Sequence, residues 1–194
     1  MAILIDFEAT CWEKSERYKH TYSEIIEICA IAVDSSFEIT NEFSELIKPA
    51  LEPVLSEFCI KLTGISQQDI DNSRSFNEVF RSFDDWIANQ KYSNPKNEDK
   101  SIKLIAWGNY DQILLRKNLF MNNYTGEVGK YYKRFNNLQA KFQKFMHISE
   151  GNCKLSKALS SIGETFEGKE HRGLDDAKNM LKVYKYLYSM DERM

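Results

Sequence analysis

Apolar positions change period several times along the chain, and each change marks an element. Ile3, Leu4 and Ile5 form a solid apolar run that predicts a buried strand over Ile3–Asp6. Glu24–Asp34, rich in Ile, Ala and Val with partial alternation, predicts a second strand. Phe37–Ile47 alternates well enough for a third, joined to the second by the tight Asp34-Ser35-Ser36-Phe37 turn. Pro49 and Pro53 then break the pattern. Leu55, Phe58, Cys59 and Leu62 have helical spacing. So do Phe76, Val79, Phe80, Phe83, Trp86 and Ile87, with Ser75 and Glu78 as a capping box at the start. The polar stretch 91–101 reads as a loop, and Ile102–Trp107 as a fourth strand followed, after Gly108, by another helix. Lys130–Leu138 reads as either a fifth strand or a loop. Short helices are expected around 137–146 and 154–162, and a long one from about Leu174 to Tyr188. Three meandering strands followed by strand–helix alternation predict an α/β domain, a mixed sheet flanked by helices, with no repeat or linker dividing the chain.

Composition narrows the class without naming a function. With 194 residues, 42% apolar and 28% charged, the chain has the make-up of one globular domain with a sizeable core. No apolar run approaches the roughly 18 residues of a membrane span, so no membrane association is expected. No basic segment followed by an apolar stretch opens the chain, so no secretory signal is expected either. Cys11, Cys29, Cys59 and Cys153 are scattered, with no C-x-x-C, and read as free thiols of a cytoplasmic protein. A net charge of −3 argues against coating nucleic acid through the overall field, but leaves room for a local basic groove.

The chemistry begins where the first strand runs into two acids. Residues two apart on a strand face the same way, so Asp6 and Glu8 share a face with Cα atoms roughly 6.5 Å apart. Buried carboxylates are costly unless a cation meets them, and hard divalent cations favour oxygen ligands. Asp111 follows the fourth strand and its turn, beyond the carboxyl end where α/β sheets gather functional groups; helix capping is its other explanation. Asp175 and Asp176 open the last helix. Helical phase puts Asp175 with Lys178, Asn179 and Lys182 on the wet side, and Asp176 beside the apolar stripe facing the sheet. Asp176 is therefore the acid that can join Asp6 and Glu8. Five residues of helix rotate by about 140°, so His171 reaches the same place only from a loop, which Gly173 suggests. Histidine side chains exchange protons near neutral pH, which suits a general base beside an acidic cluster.

Asp6, Glu8, Asp111 and Asp176, with His171 five before the last acid, resemble the DEDDh 3′→5′ exonucleases of the ribonuclease H-like superfamily. The stretches DFEATCWE, IKPALEPVLSEFCIKLTGISQQDID, WGNYD and FEGKEHRGLDDAKN are similar to the enhanced-RNAi and histone-mRNA 3′-exonuclease branch and to bacterial KapD proteins. The likeness runs over nearly the whole chain; the histone-mRNA enzyme's preceding SAP domain is not expected here. The resemblance implies a central mixed five-stranded sheet and two Mg²⁺ or Mn²⁺ ions held by the four carboxylates, with Asp6 bridging. It further implies His171 as general base and release of nucleoside 5′-monophosphates from single-stranded RNA 3′ ends. It also implies that Ala9 and Thr10 read the terminal sugar and that Tyr110 and Ile65 sandwich the terminal nucleotide, core packing being the other explanation of the last two. Lys130, Lys133, Arg134, Lys141 and Lys144 form either a track for upstream phosphates or a solvated face. A DNA-directed exonuclease with the same site, or a KapD-like regulator acting through a protein partner, stay open as alternatives.

Overall fold

The apolar run that opens the chain is the middle strand of the sheet. The computed structural model describes residues 1–20, 22–92, 102–125, 135–149 and 153–191. Strand β1 (Ala2–Ala9) pairs antiparallel with β2 (Ile25–Val33), and β2 antiparallel with β3 (Ile39–Lys48). A two-residue strand, β4 (Arg74–Ser75), adds in parallel to β3. On the other side β5 (Lys103–Ala106) runs parallel to β1, and β6 (Phe135–Asn137) parallel to β5. The order β4-β3-β2-β1-β5-β6 is a mixed sheet of six strands rather than the five expected, because the two-residue bridge adds one. Residues 91–101 contain the end of a helix, and 93–101 lie outside the described residues.

Both faces of β1 are covered, which explains its unbroken apolar start. Ile3, Ile5 and Phe7 point into a layer with α3 (Phe76–Tyr92) and α4 (Tyr110–Met121), where Phe80, Phe83, Leu115 and Leu119 are buried. The Glu78 carboxylate accepts both the Ser75 backbone N–H and its hydroxyl, so the predicted cap starts α3. Ala2 and Leu4 point the other way, with Ile31 and Val33. That face packs on α5 (Leu138–Phe145), α6 (Leu155–Ser161) and α7 (Gly173–Asp191) through Phe142, Leu159, Met180 and Leu187. Burial of each such side chain stabilises the fold by about 1.5–3 kcal/mol. A third, smaller cluster of Ile26, Leu55, Cys59, Ile65 and Ile70 lies under α1 (Glu57–Thr63) and α2 (Gln67–Asp71).

The architecture is α/β with helices on both sides of the sheet, as the hydrophobic pattern predicts. Two details differ. β1 does not stop at Asp6: β2 runs alongside it as far as Ala9, and the ladder carries the strand through both acids. α2 is absent from the sequence reading because its five residues hold a single buried position, Ile70. No described helix is long and apolar enough to cross a membrane. The four cysteines are free thiols, three of them buried.

Candidate active site

β5 pairs with β1 only as far as Leu4, so the second half of β1 extends past its parallel neighbour. The edge left there, at the carboxyl ends of both strands, is a cleft of about 420 Å³. Asp6 and Glu8 lie on its floor, on the face that carries Ala2 and Leu4 further back. One oxygen from each converges with one from Asp176, all within 4.8 Å of one another. Asp176 sits in the first turn of α7, next to the stripe of Ala177, Met180 and Leu181 that packs on the sheet. The close seat of that helix depends on Gly173. A Cβ there would meet the Cys29 Cβ at 2.7 Å and Sγ at 2.8 Å, and Asp6 Oδ2 at 3.5 Å.

Asp111 lines the same cleft but is placed differently. It is buried in the first turn of α4, and one oxygen accepts the Phe7 backbone N–H at 3.3 Å. It stands outside the trio whose oxygens converge. His171 lines the cleft from the turn before α7, with φ of 64°. The freedom anticipated from Gly173 belongs to His171 itself, which takes the left-handed conformation, while Gly173 is already helical.

The substrate-facing positions divide. Ala9 and Tyr110 line the cleft, Tyr110 half exposed at the start of α4. Thr10 is buried, and its hydroxyl accepts the Glu24 backbone N–H at 2.9 Å, closing the base of the 11–23 loop. Ile65 is corrected: at 1% exposure it belongs to the third core cluster, and Leu62 stands in the cleft wall instead. The reason is Gly64, which ends α1 in the left-handed conformation (φ 73°) and turns the next residue inward. Of the basic residues, Lys130, Lys133 and Arg134 lie outside the described residues. Lys141 and Lys144 are exposed on α5 and do not line the cleft. Asp175 is also not the solvated acid expected, since its carboxylate accepts the Lys169 backbone N–H at 2.9 Å.

Several cleft residues escaped the sequence reading. Phe166, Lys154, Ser156 and Trp107 come from loops and helix ends with no pattern of their own. Glu170 is a further acid of the lining. Glu27, outside the lining, is buried directly across the ladder from Glu8; Ser44 donates to its Oε1, and its Oε2 has no hydrogen-bond partner. Only the β1–β2 register could have revealed it.

The electrostatics call for a cation. Burial, then the negative charge of Asp111, Asp176, Glu8 and Glu27, holds the Asp6 carboxyl well above the ordinary range. Burial first, then repulsion led by Asp176, pushes Glu8 up to about 8. Burial raises Asp111 to about 7 against the opposing Phe7 N–H. It raises Asp176 to about 7 against the backbone N–H groups of His171 and Arg172. Among the described residues no ion pair joins these four acids to Lys, Arg or His. Asp176 Oδ2 is shut off from solvent without a hydrogen-bond partner, beside the oxygens of Asp6 and Glu8. A buried oxygen of that kind, in a donor set made of carboxylates alone, fits a hard divalent cation.

Comparison with known proteins places the chain in a family. The model of the Exonuclease family (RNase T type) matches residues 3–184, and the chain belongs to that family. It is 32% identical to the 3′-5′ exonuclease Snipper of Drosophila melanogaster, over 92% of this chain and 66% of that protein. It is 31% identical to ERI1 exoribonuclease 2 of Xenopus laevis, over 93% of this chain and 27% of that protein. The chain thus spans less than two thirds of either relative. Among solved structures it is similar to the nuclease domain of 3′hExo, a DEDDh family member bound to rAMP. That match has a TM-score of 0.85 and 26% identity, covering 98% of this chain and 92% of that one.

Proposed function

We propose that this chain is a metal-dependent 3′→5′ exonuclease that hydrolyses the terminal phosphodiester bond of single-stranded RNA and releases nucleoside 5′-monophosphates. The observation that carries this reading is the convergence of Asp6, Glu8 and Asp176 within 4.8 Å, with a buried Asp176 oxygen left unpartnered. Similarity to proteins named exoribonucleases supports RNA as the substrate. Asp6, Glu8, Asp111 and Asp176 would hold two Mg²⁺ or Mn²⁺ ions. When bound, such ions neutralise the phosphate and favour both the attacking water and the leaving 3′-oxygen.

The remaining work falls to other side chains. His171, at the rim, takes the proton of the attacking water onto its imidazole nitrogen. Tyr110 offers an aromatic face to the terminal base, and Leu62, also in the lining, gives it an apolar contact. Ala9, at the end of β1, borders the terminal sugar. Lys154 brings a positive charge to the wall of a cleft otherwise floored with acids, where a substrate phosphate can pair with it. The free thiols suit a reducing cytoplasm, the compartment we assign.

The test is hydrolysis of a 5′-labelled single-stranded RNA with Mg²⁺ or Mn²⁺, run beside DNA of the same sequence. A ladder shortening from the 3′ end, with 5′-mononucleotides as products and no activity in Asp6→Ala, is expected. An RNA left intact under both metals would end the enzyme reading. Equal or faster cleavage of DNA would replace the substrate.

A further inference from the structure

The loop that delivers His171 is fastened to α7 by residues that have no place in the chemistry above. Asp175, Asn179 and Lys182 fall four and three residues apart, on one face of α7, and each bonds the backbone of residues 165–169. Lys182 Nζ donates to the Thr165 carbonyl at 2.9 Å. Asn179 pairs with Glu167 in both directions, its Oδ1 accepting the Glu167 N–H at 3.0 Å and its Nδ2 donating to the Glu167 carbonyl at 2.7 Å. Asp175 accepts the Lys169 N–H at 2.9 Å. Asn179 is 1% exposed, so an unpaired amide there would be costly. Gly168 passes so close to α7 that a Cβ on it would meet the Asp175 carboxylate at 2.5 Å, and its φ is 84°. This is the face that helical phase assigns to solvent; in the folded protein the loop takes up Asp175, Asn179 and Lys182 from it, while Lys178 pairs with Glu42 instead.

The fastening matters because of what lies next to it. Phe166, between the Thr165 and Glu167 contacts, lines the cleft, as do Glu170 and His171 just beyond Lys169. On the far side the chain is fixed again at Arg172, whose carbonyl accepts the Asp176 N–H at 3.0 Å. His171 therefore hangs between two anchored points. It holds a left-handed conformation that a non-glycine residue adopts only when its surroundings impose it.

We propose that Asp175 and Asn179, assisted by Lys182, are positioning residues that hold His171 and Phe166 over the carboxylates. The helix that supplies one metal ligand thus also sets the place of the base. The proposal rests on the role given to His171 above. It assigns Asp175, the partner of the metal-binding Asp176 in that pair, a purpose distinct from metal binding.

The test is a double-mutant cycle read in kcat and KM on a short single-stranded RNA. Asn179→Ala and Asp175→Ala are each expected to lower kcat by about tenfold or more, the order of loss that misplacing a catalytic group by an ångström produces, with KM little changed. In a His171→Ala background neither should slow the enzyme further. Asp175→Asn, which keeps an acceptor for the Lys169 N–H, should restore most of kcat. Asp175→Ala should bind Mn²⁺ as the wild type does by calorimetry, whereas Asp176→Ala should not. Gly168→Ala disturbs the same contact from the exposed loop, at a cost in local strain, and should reproduce the loss of kcat while cooperative unfolding shows that the fold is kept, should Asn179→Ala fold poorly. Unchanged kcat in Gly168→Ala and Asp175→Ala, or an equal further loss in the His171→Ala background, would overturn the proposal. If the wild type itself cleaves no RNA, the role of His171 falls. The fastening is then judged by amide exchange: Glu167 and Lys169 should be protected in the wild type and released in Asn179→Ala and Asp175→Ala, and equal exchange would refute it.

Discussion

Asp175 and Asp176 show how much one step along a helix decides. Both gain from the helix dipole, yet one turns to the sheet and joins Asp6 and Glu8, and the other turns outward and is taken by the Lys169 N–H. Helical phase was enough to select Asp176, because a 100° rotation separates neighbours whatever the tertiary context. It was not enough for Ile65 and Leu62, where a single left-handed glycine exchanges which of them faces the cleft. The two make separable predictions. Leu62→Ala should raise KM for the oligonucleotide and leave the thermal midpoint nearly unchanged. Ile65→Val should leave KM unchanged and lower stability by about 0.5–1.5 kcal/mol, as removal of a buried methyl does. A KM effect at Ile65 and none at Leu62 in steady-state kinetics would reverse this assignment.

Between elements, the critical contact is that of α7 on the β1–β2 ladder. Asp6 lies opposite Cys29 in that ladder, and Gly173 rests on both. Gly173→Ala should push the start of the helix off the sheet, since its Cβ would lie 2.7 Å from that of Cys29. We expect a stability loss of about 1–3 kcal/mol, the usual cost of overpacking, in denaturant unfolding. Mn²⁺ affinity should fall with it, because Asp176 moves away from Asp6 and Glu8. Retained affinity in calorimetry would show that the helix adjusts without moving its acid. The 11–23 loop is also tied down at this scale. Trp12 stacks on His20 with ring centroids 3.8 Å apart, and His20 Nδ1 lies 2.8 Å from a Glu52 oxygen. The Glu24 carboxylate accepts the backbone N–H groups of Ala50, Leu51 and Glu52.

For the molecule as a whole, the acidic cleft links stability to protons and metal. Glu8 at about 8, and Asp111 and Asp176 at about 7, stand above the carboxylate range near 4 of an unfolded chain. Between those limits the metal-free folded protein binds protons that the unfolded chain has released, so stability must fall as pH rises. The stabilisation is whole below about pH 4 and is lost as pH climbs through 7 and 8. A divalent cation replaces those protons and stabilises the fold by binding to it alone. The chelated protein should therefore melt at a lower temperature at about pH 8.5 than at about pH 5.5, and saturating Mg²⁺ should remove most of the difference. A chelated protein equally stable at both values in scanning calorimetry would contradict this account of the site.

The chain alone predicted the periodic elements, the mixed α/β class, the shared face of Asp6 and Glu8, and the turn of Asp176 toward the sheet, because strand alternation and helical phase are local and survive any packing. Asp111 and His171 were joined to those acids by resemblance to a family, since their own positions left helix capping and a surface histidine open. Only the tertiary structure decided that β1 runs on past β5 to open a cleft, and that Glu27 lies across from Glu8. It alone showed that Asp111 stands apart from the converging trio, and that Asp175, Asn179 and Lys182 on the supposed wet face of α7 hold the loop bearing His171. Each of these depends on which strands pair and in what register, or on one left-handed residue. Such long-range choices leave no periodic trace in the chain.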